Sequence, residues 1–449
     1  MINLFNYQTI NVLQLSLGFF LVLFAFTSQS FIEETVIDSY AARGNFNKHV
    51  GYISLAVIYA IDTIGNFFAP SIIRILSVRW AFVLAVAAYA TFQIGFLFLN
   101  EIYLLISSAF VGFGATIFWT AQGKYLTLNS TKETAGLHSG IFWASAQGCL
   151  AFGGVFLYVV FRDSNEDDDI SESTTRIIYG VFSSVTLIAL VILGTLRLKR
   201  EEESLEKVGA NKNEDDEDDL LPAEMFTSTF KLMLDKRMRL LILPFMFTGI
   251  ELSFWSGIYP TCISFTKKLG SNTNTLLAFN AMAQGAGQVI SGLFFGLLNS
   301  NSRKLKRETI VLLGATIHIL VFIAVYINFP QNAPLDKTED EGLIYPNIAI
   351  ALTCGFFLAF ADACWNTQIF SFLITYFPNQ GSQAFALNLF FENLMTSAAF
   401  FYGTSFKLKY HLIILSIGAI LGCISFVMAE KVQDRSVEQS DKQVSKLEF

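Results

Sequence analysis

Twelve stretches of roughly twenty apolar residues run along the chain, six on each side of one long charged loop, and each can cross ~30 Å of hydrocarbon. They fall at 8–31, 50–73, 81–99, 102–123, 140–161, 177–196, 240–263, 276–298, 309–327, 347–372, 384–403 and 412–428. The runs are continuously apolar, whereas barrel strands alternate and show a polar lumen face, so the pattern predicts helices. An all-α polytopic membrane protein follows, with twelve transmembrane helices in two pseudo-symmetric bundles. The first six-helix bundle spans 1–196, an acidic linker 197–239, the second bundle 240–428 and a tail 429–449.

Composition agrees with that reading. At 53% hydrophobic and 15% charged residues, with 46 Phe, a soluble chain of this length would hold more apolar surface than it could bury. No Lys or Arg precedes the first span, which therefore reads as a retained helix rather than a cleaved leader. With both termini in the cytoplasm, the inner segments carry 21 basic residues and the outer loops 9, which favours that orientation. The net charge of −7 comes from acidic loop runs such as Glu201–Glu203, Glu214–Asp219 and Glu166–Asp169, read as solvated segments. All five cysteines lie within spans, so no disulfide framework is expected. The four histidines show no metal-ligand spacing, and His318, the one within a span, is read as a helix-packing residue rather than a proton relay.

The two halves share a signature. Trp119-Thr120-Ala121-Gln122 in the fourth span recurs as Trp365-Asn366-Thr367-Gln368 in the tenth, at an offset of 246 residues. At the same offset Gln147 of the fifth span meets Asn393 of the eleventh. Such duplicated folds place a central cavity between the halves. Residues three apart share a helix face, so each Trp-x-x-Gln puts an amide beside a large ring. Gln122 and Gln368 serve either as interhelical hydrogen-bonding glue or as the lining of a ligand cavity.

Intramembrane carboxylates narrow the chemistry. Glu251, Asp362, Glu392 and Asp62 lie within spans, each at a cost of roughly 2.5–3.5 kcal/mol if left ionised at a helix centre. They must pair, take up protons or face water. Asp362 and Asn366, at i and i+4, form a polar stripe that cannot face lipid. Glu251 and Asp362 are the leading candidates for a proton or substrate site. No span as drawn holds Lys or Arg, so a cationic clamp for phosphate or carboxylate substrates is missing and protons, organic cations or neutral solutes are favoured. Gly123-Lys124 runs into Tyr125 without the spacing of a phosphate-binding loop, and no nucleophile–base set appears, so neither ATP coupling nor an enzyme is expected. No cofactor, metal or nucleic-acid partner is indicated. Pro244 and Pro260 bracket Gly249, Glu251 and Gly257 in the seventh span, which predicts weakened turns there. Gly285-Ala286-Gly287, Gly292-x-x-x-Gly296 and Gly153-Gly154 are expected to allow close helix approach.

Three runs together resemble one family: Trp119-Thr120-Ala121-Gln122-Gly123-Lys124-Tyr125-Leu126-Thr127, the segment Gly249 to Tyr259, and Asp362-Ala363-Cys364-Trp365-Asn366-Thr367-Gln368. They are similar to the uncoordinated-type, ion-channel-regulator-like branch of the major facilitator superfamily, over essentially the whole membrane region, and closest to its poorly characterised facilitator-domain members. The resemblance implies the major facilitator fold, and Trp119, Gln122, Gly249, Glu251, Gly257, Tyr259, Asp362, Asn366 and Gln368 as signature positions. Of the glycine–aspartate–basic loop common in facilitators, the segment from Pro70 to Arg79 keeps only the basic part. Members of the branch are orphan solute carriers or accessory proteins of channels and receptors.

The expected function is that of a secondary solute carrier, facilitative or proton-coupled, moving a neutral or cationic small solute by alternating access. The alternative is a non-transporting regulatory or trafficking subunit of an ion channel or receptor. Expected partners are the lipid bilayer, a small solute or proton, and in the alternative another membrane protein. In the linker, Asp216 to Leu221 fits an acidic dileucine pattern, with Asp216, Leu220 and Leu221 as its elements, resembling adaptor-binding sorting signals; the plainer reading is a solvated acidic run leading through Pro222 into an amphipathic segment. The plasma membrane and the endolysosomal membrane both remain open. Asn129-Ser130-Thr131 is the only glycosylation sequon, and the orientation places it in the cytoplasm, unmodified.

Overall fold

In lipid every backbone N–H and C=O has to find its partner within the protein, and helices meet that demand locally. The computed structural model describes residues 7–41, 50–161, 172–197, 222–270, 273–300, 305–403 and 405–447. The first half holds α1 (Tyr7–Ala41), α2 (Val50–Gly65), α3 (Ala69–Gly95), α4 (Glu101–Leu128), α5 (Ala135–Gln147), α6 (Cys149–Phe161) and α7 (Glu172–Gly194). After α8 (Pro222–Met233), the second holds α9 (Lys236–Ser253), α10 (Tyr259–Phe265), α11 (Thr273–Ser300), α12 (Arg307–Asn328), α13 (Ile348–Tyr376), α14 (Gly381–Gly403) and α15 (Leu408–Leu447). Every predicted span lies on a helix, and ten of the described helical segments are long and apolar enough to cross a membrane. Among the described residues the extended structure amounts to one bridge, Thr266 to Thr338.

Three spans differ in detail from their sequence pattern. The second, expected to run to residue 73, ends at Gly65. There the Asn66 side chain donates to the Asp62 carbonyl at 2.8 Å, and Pro70 opens α3 at a position where its missing N–H costs nothing. The helix α3 then breaks at Ser77, whose φ of 63° lies in the left-handed region. The fifth span divides into α5 and α6 at Gly148. In the seventh, Pro244 sits within a continuous α9, and the departure comes at a π-helical turn, Phe254–Ile258, just before Pro260. The turn's Trp255 carbonyl is satisfied from another helix, by the Gln284 amide of α11 at 2.9 Å.

The halves meet along two seams. On one, α11 packs against α5 and α6; on the other, α14 packs against α2 and α4. Small residues make the first seam tight: a Cβ on Gly140 would meet the Gly292 carbonyl oxygen at 2.5 Å and Gly296 Cα at 2.6 Å. On the outer faces, Ile102, Ile106, Ile177, Val191, Leu312, Leu320, Ile413, Ile417 and Ile424 are all exposed, as lipid-facing side chains should be. Near the end of the bundle where α1 begins, Phe370 of α13 meets Trp143 of α5 edge-on at 5.4 Å, and Phe67 lies 4.4 Å from Phe390 of α14. The amphipathic α8 closes over this end. Its Phe230 stacks on Phe67 at 4.7 Å, its Phe226 on Phe68, and its Met225 accepts from Gln383 of α14.

Candidate functional site

Two of the sequence candidates and one of their neighbours converge in the second half. Asp362, on α13, is 2% exposed and accepts two amide hydrogen bonds, from Asn366 Nδ2 at 2.8 Å and from Gln288 Nε2 of α11 at 2.7 Å. The first follows from the i, i+4 spacing on one helix. Gln288 in turn accepts at Oε1 from Trp143 Nε1 at 2.6 Å. Trp143 belongs to α5, so a continuous run of hydrogen bonds ties the first half to the Asp362 carboxylate. Glu251, at 1% exposure, lies close to Asp362, with neither of its carboxylate oxygens hydrogen-bonded. Two carboxyl groups brought this close out of water repel each other when both are charged. On the other side His318 Nε2 of α12 lies 3.2 Å from Glu251 Oε1, a close contact in which the ring is not aligned for a hydrogen bond. Phe247 and Phe322 flank that imidazole at 5.5 Å each, excluding water from it.

A second carboxylate group lies on the α2–α14 seam. Asp62 accepts from Thr116 Oγ1 of α4 at 2.9 Å and from Asn66 at 3.3 Å, and Asn393 of α14 lies close to it across the halves. Glu392, held by Asn388 at 3.3 Å, is close enough to both Asp62 and Asp362 to repel each when charged. The backbone carbonyl of Glu392 presses on Gly249, where no Cβ could be fitted, so α14 lies hard against the helix that carries Glu251.

The other candidates are placed apart. Gln122 is fully buried with neither amide atom hydrogen-bonded, while Gln368 donates to its neighbour Thr367 at 3.0 Å and leaves Oε1 unpaired. Six positions beyond Asp362, Gln368 lies about 120° around α13 from the carboxylate. Trp119 is half-buried against Phe19 at 5.4 Å, whereas its counterpart Trp365 is wholly buried against Phe247 at 4.8 Å. Tyr259 donates its hydroxyl to the Ala351 carbonyl and stands among Phe254 and Phe329, two turns from Glu251, as a lock between α10 and α13. Asp216, Leu220 and Leu221 lie outside the described residues.

One expectation is corrected. A helix free of buried cations was expected in the fourth span, but α4 continues to Leu128 and carries Lys124, 8% exposed, in its last turns. His318, read from sequence as packing, is in contact with a carboxylate. Gln284 and Gln288, missed as site residues, had a legible signal: two amides at i, i+4 on one face of an apolar span. Asn129, the sequon residue, is 4% exposed, accepts from Asn11 at 2.8 Å and donates to the Tyr125 carbonyl at 2.9 Å. Burial alone keeps a glycan off it, so its modification state does not report orientation.

Two helix bundles with carboxylates at their seams define a transporter-like, multi-pass membrane protein of the major facilitator fold. The chain matches the transporter FucP, solved in the outward conformation, with a TM-score of 0.63 at 12% identity over 94% of this chain and 98% of that one. The proton:xylose symporter XylE matches with a TM-score of 0.64 at 15% identity, covering 95% of each chain. Residues 42–427 match the family described as "Ion channel regulatory protein UNC-93", and the chain belongs to that family. It is similar to UNC93-like protein MFSD11 of Xenopus tropicalis, 32% identical over 94% of this chain and 96% of the relative, and to Protein unc-93 homolog A of Bos taurus, 27% identical over 93% and 91%.

Proposed function

We propose that the protein is a secondary solute carrier working by alternating access, with proton coupling at Glu251 and Asp362. The observation that carries this reading is the hydrogen-bonded run Trp143, Gln288, Asp362, which crosses from one half to the other and ends at a carboxylate that has Glu251 as a close neighbour. An ionised Asp362 is a strong acceptor for the Gln288 amide and so holds α11 and α13 in register with Trp143 of the first half. Protonation weakens that acceptor and loosens a link between the halves. Proton occupancy and the relative position of the bundles are thereby coupled, as a symporter requires. The acidic, amide-rich surroundings suit a neutral or cationic small solute. Gln122, with both amide atoms free of protein partners, is a candidate solute contact, as are Gln368 through its unpaired oxygen, Asn366 and Trp119. In this reading both termini face the cytoplasm, and residues 197–239 join two bundles that move as units.

The family description favours a second reading, a regulatory subunit that binds a channel or receptor through its helices. Uptake into proteoliposomes over a panel of neutral and cationic solutes, with and without a proton gradient, separates the two. Saturable, gradient-dependent uptake by wild type, lost in folded Glu251→Gln and Asp362→Asn, is expected of the carrier. Absence of uptake by folded wild-type protein, with a stoichiometric membrane-protein partner recovered, would leave only the subunit reading standing.

A further inference from the structure

At the end of the bundle where α1 begins, the first turn of α9 and the stretch of α15 around Met428 enclose a groove of about 450 Å³, lined by Lys236, Arg239, Leu240, Met428, Lys431 and Val432. We infer that this groove holds the headgroup of an anionic phospholipid from the adjacent leaflet, with its acyl chains running down the lipid-facing stripes of the two helices.

Depth is the first support. The apolar spans begin at Lys236 on α9 and end at Gln433 on α15, so the groove sits where headgroups meet hydrocarbon. The second is the pattern of exposed side chains. On α15, Ile417, Leu421, Ile424 and Met428 recur at helical spacing, and Lys431 follows one turn beyond. On α9 the exposed Leu243 is preceded one turn earlier by Arg239 and two turns earlier by Lys236. Both stripes therefore run from hydrocarbon into a cation at the same level, which matches the shape of a phospholipid.

Charge is the third. Lys236, Arg239 and Lys431 form no ion pair among the described residues. The nearby acids among the described side chains are engaged elsewhere: Asp235 with Arg237 at 3.0 Å, and Glu430 with Arg307 at 3.1 Å. Among the described residues the groove thus presents three cations, an apolar floor and no carboxylate in its lining, the composition of basic inter-helical sites for anionic lipid headgroups. Phosphatidylcholine, whose choline cancels its phosphate, gains no net attraction there.

The test uses the full chain purified in neutral detergent, with native mass spectrometry to count retained lipid. Dioleoyl phosphatidylserine should be retained in preference to dioleoyl phosphatidylcholine. Glycerophosphoserine, which has the headgroup and no chains, should compete weakly, separating a lipid site from a plain anion site. Lys431→Gln should lower phosphatidylserine retention roughly fivefold, and the Lys236→Gln, Arg239→Gln, Lys431→Gln triple variant about a hundredfold, from the usual attraction per basic residue at an anionic surface. A phosphatidylserine bearing a photoreactive group near its headgroup should label wild-type peptides containing Leu240, Met428 or Val432, a readout that needs no variant to fold. Equal retention of the two lipids, competition by glycerophosphoserine as strong as by the lipid, or labelling confined to other helices would overturn the inference.

Discussion

The tenth and fourth spans, α13 and α4, descend from one pattern but carry different chemistry. At the 246-residue offset Trp365 answers Trp119 and Gln368 answers Gln122, while Asp362 stands where α4 has Thr116, and Asn366 where it has Thr120. Thr116 is itself a donor to a carboxylate, Asp62 of α2, at 2.9 Å. The first half thus uses a hydroxyl to hold an acid on a neighbouring helix, and the second half puts the acid on the signature helix, within reach of Glu251, His318 and the cross-seam Gln288. The duplicated scaffold supplies two like surfaces, and ionisable chemistry at the signature position is confined to one of them. The proposed coupling uses that asymmetry, since the ionisable group sits on one bundle and the amide that binds it is tied to the other.

The strongest way to break this comparison is to erase it. Asp362→Thr gives the second half the residue of the first and should lower gradient-driven uptake by roughly 100-fold or more, the scale of losing a proton-transferring group. Thr116→Val should leave uptake within a few-fold of wild type. Equal losses in the two variants would mean that Asp362 is a packing residue like Thr116. The cross-seam link gives the next effect. Gln288→Leu strips the buried Trp143 N–H of its acceptor and Asp362 of one of its two amide donors, at a cost of about 2–4 kcal/mol in detergent unfolding. Combining it with Trp143→Phe should cost less than the sum of the two, since both remove one hydrogen bond. Smaller again is the seam contact itself. Gly140→Ala pushes a methyl group onto the Gly292 carbonyl and Gly296 backbone and should cost about 1–3 kcal/mol, whereas Gly180→Ala, with nothing within 4 Å of its Cβ, should be neutral or slightly stabilising.

What the sequence makes legible follows from how each feature is encoded. The spans are written in a local code, about twenty apolar residues each, and all fall on helices. Asp362 with Asn366 was legible because one helix carries both. The approach of Glu251 and His318 to that pair was not, because three helices from distant parts of the chain bring them together and a lone histidine has no spacing to betray its partner. The π-turn is an intermediate case. Pro260 announced a weakened helix, but the compensating Gln284 amide, 29 residues away in sequence, is a tertiary response that no local pattern contains. Lys124 shows the opposite error: a hydropathy boundary at Gly123 cut off a helix whose backbone continues to Leu128.

The smallest effect tests the scaffold where the halves should be alike. The helix α4 opens at Asn100, whose side-chain oxygen accepts from Tyr103 N at 3.0 Å; α13 opens at Asn347, whose oxygen accepts from Ile350 N at 3.2 Å. Both residues are extended, both are exposed, and they stand 247 residues apart, one from the common offset. Each bond satisfies one N–H that the first turn of a helix leaves unpaired, so Ala at either position should cost about 1 kcal/mol. The second cap has additional bonds to Asn328, but these engage the Asn347 backbone and survive the substitution. Asn100→Ala and Asn347→Ala should therefore lower stability by the same amount within about 0.5 kcal/mol, the usual spread for independent sites, and neither should alter coupling. A difference above that spread in matched unfolding curves would show that the halves diverge in their scaffold as well as in their charges, and the contrast between Thr116 and Asp362 would lose its standing as a comparison at one shared position.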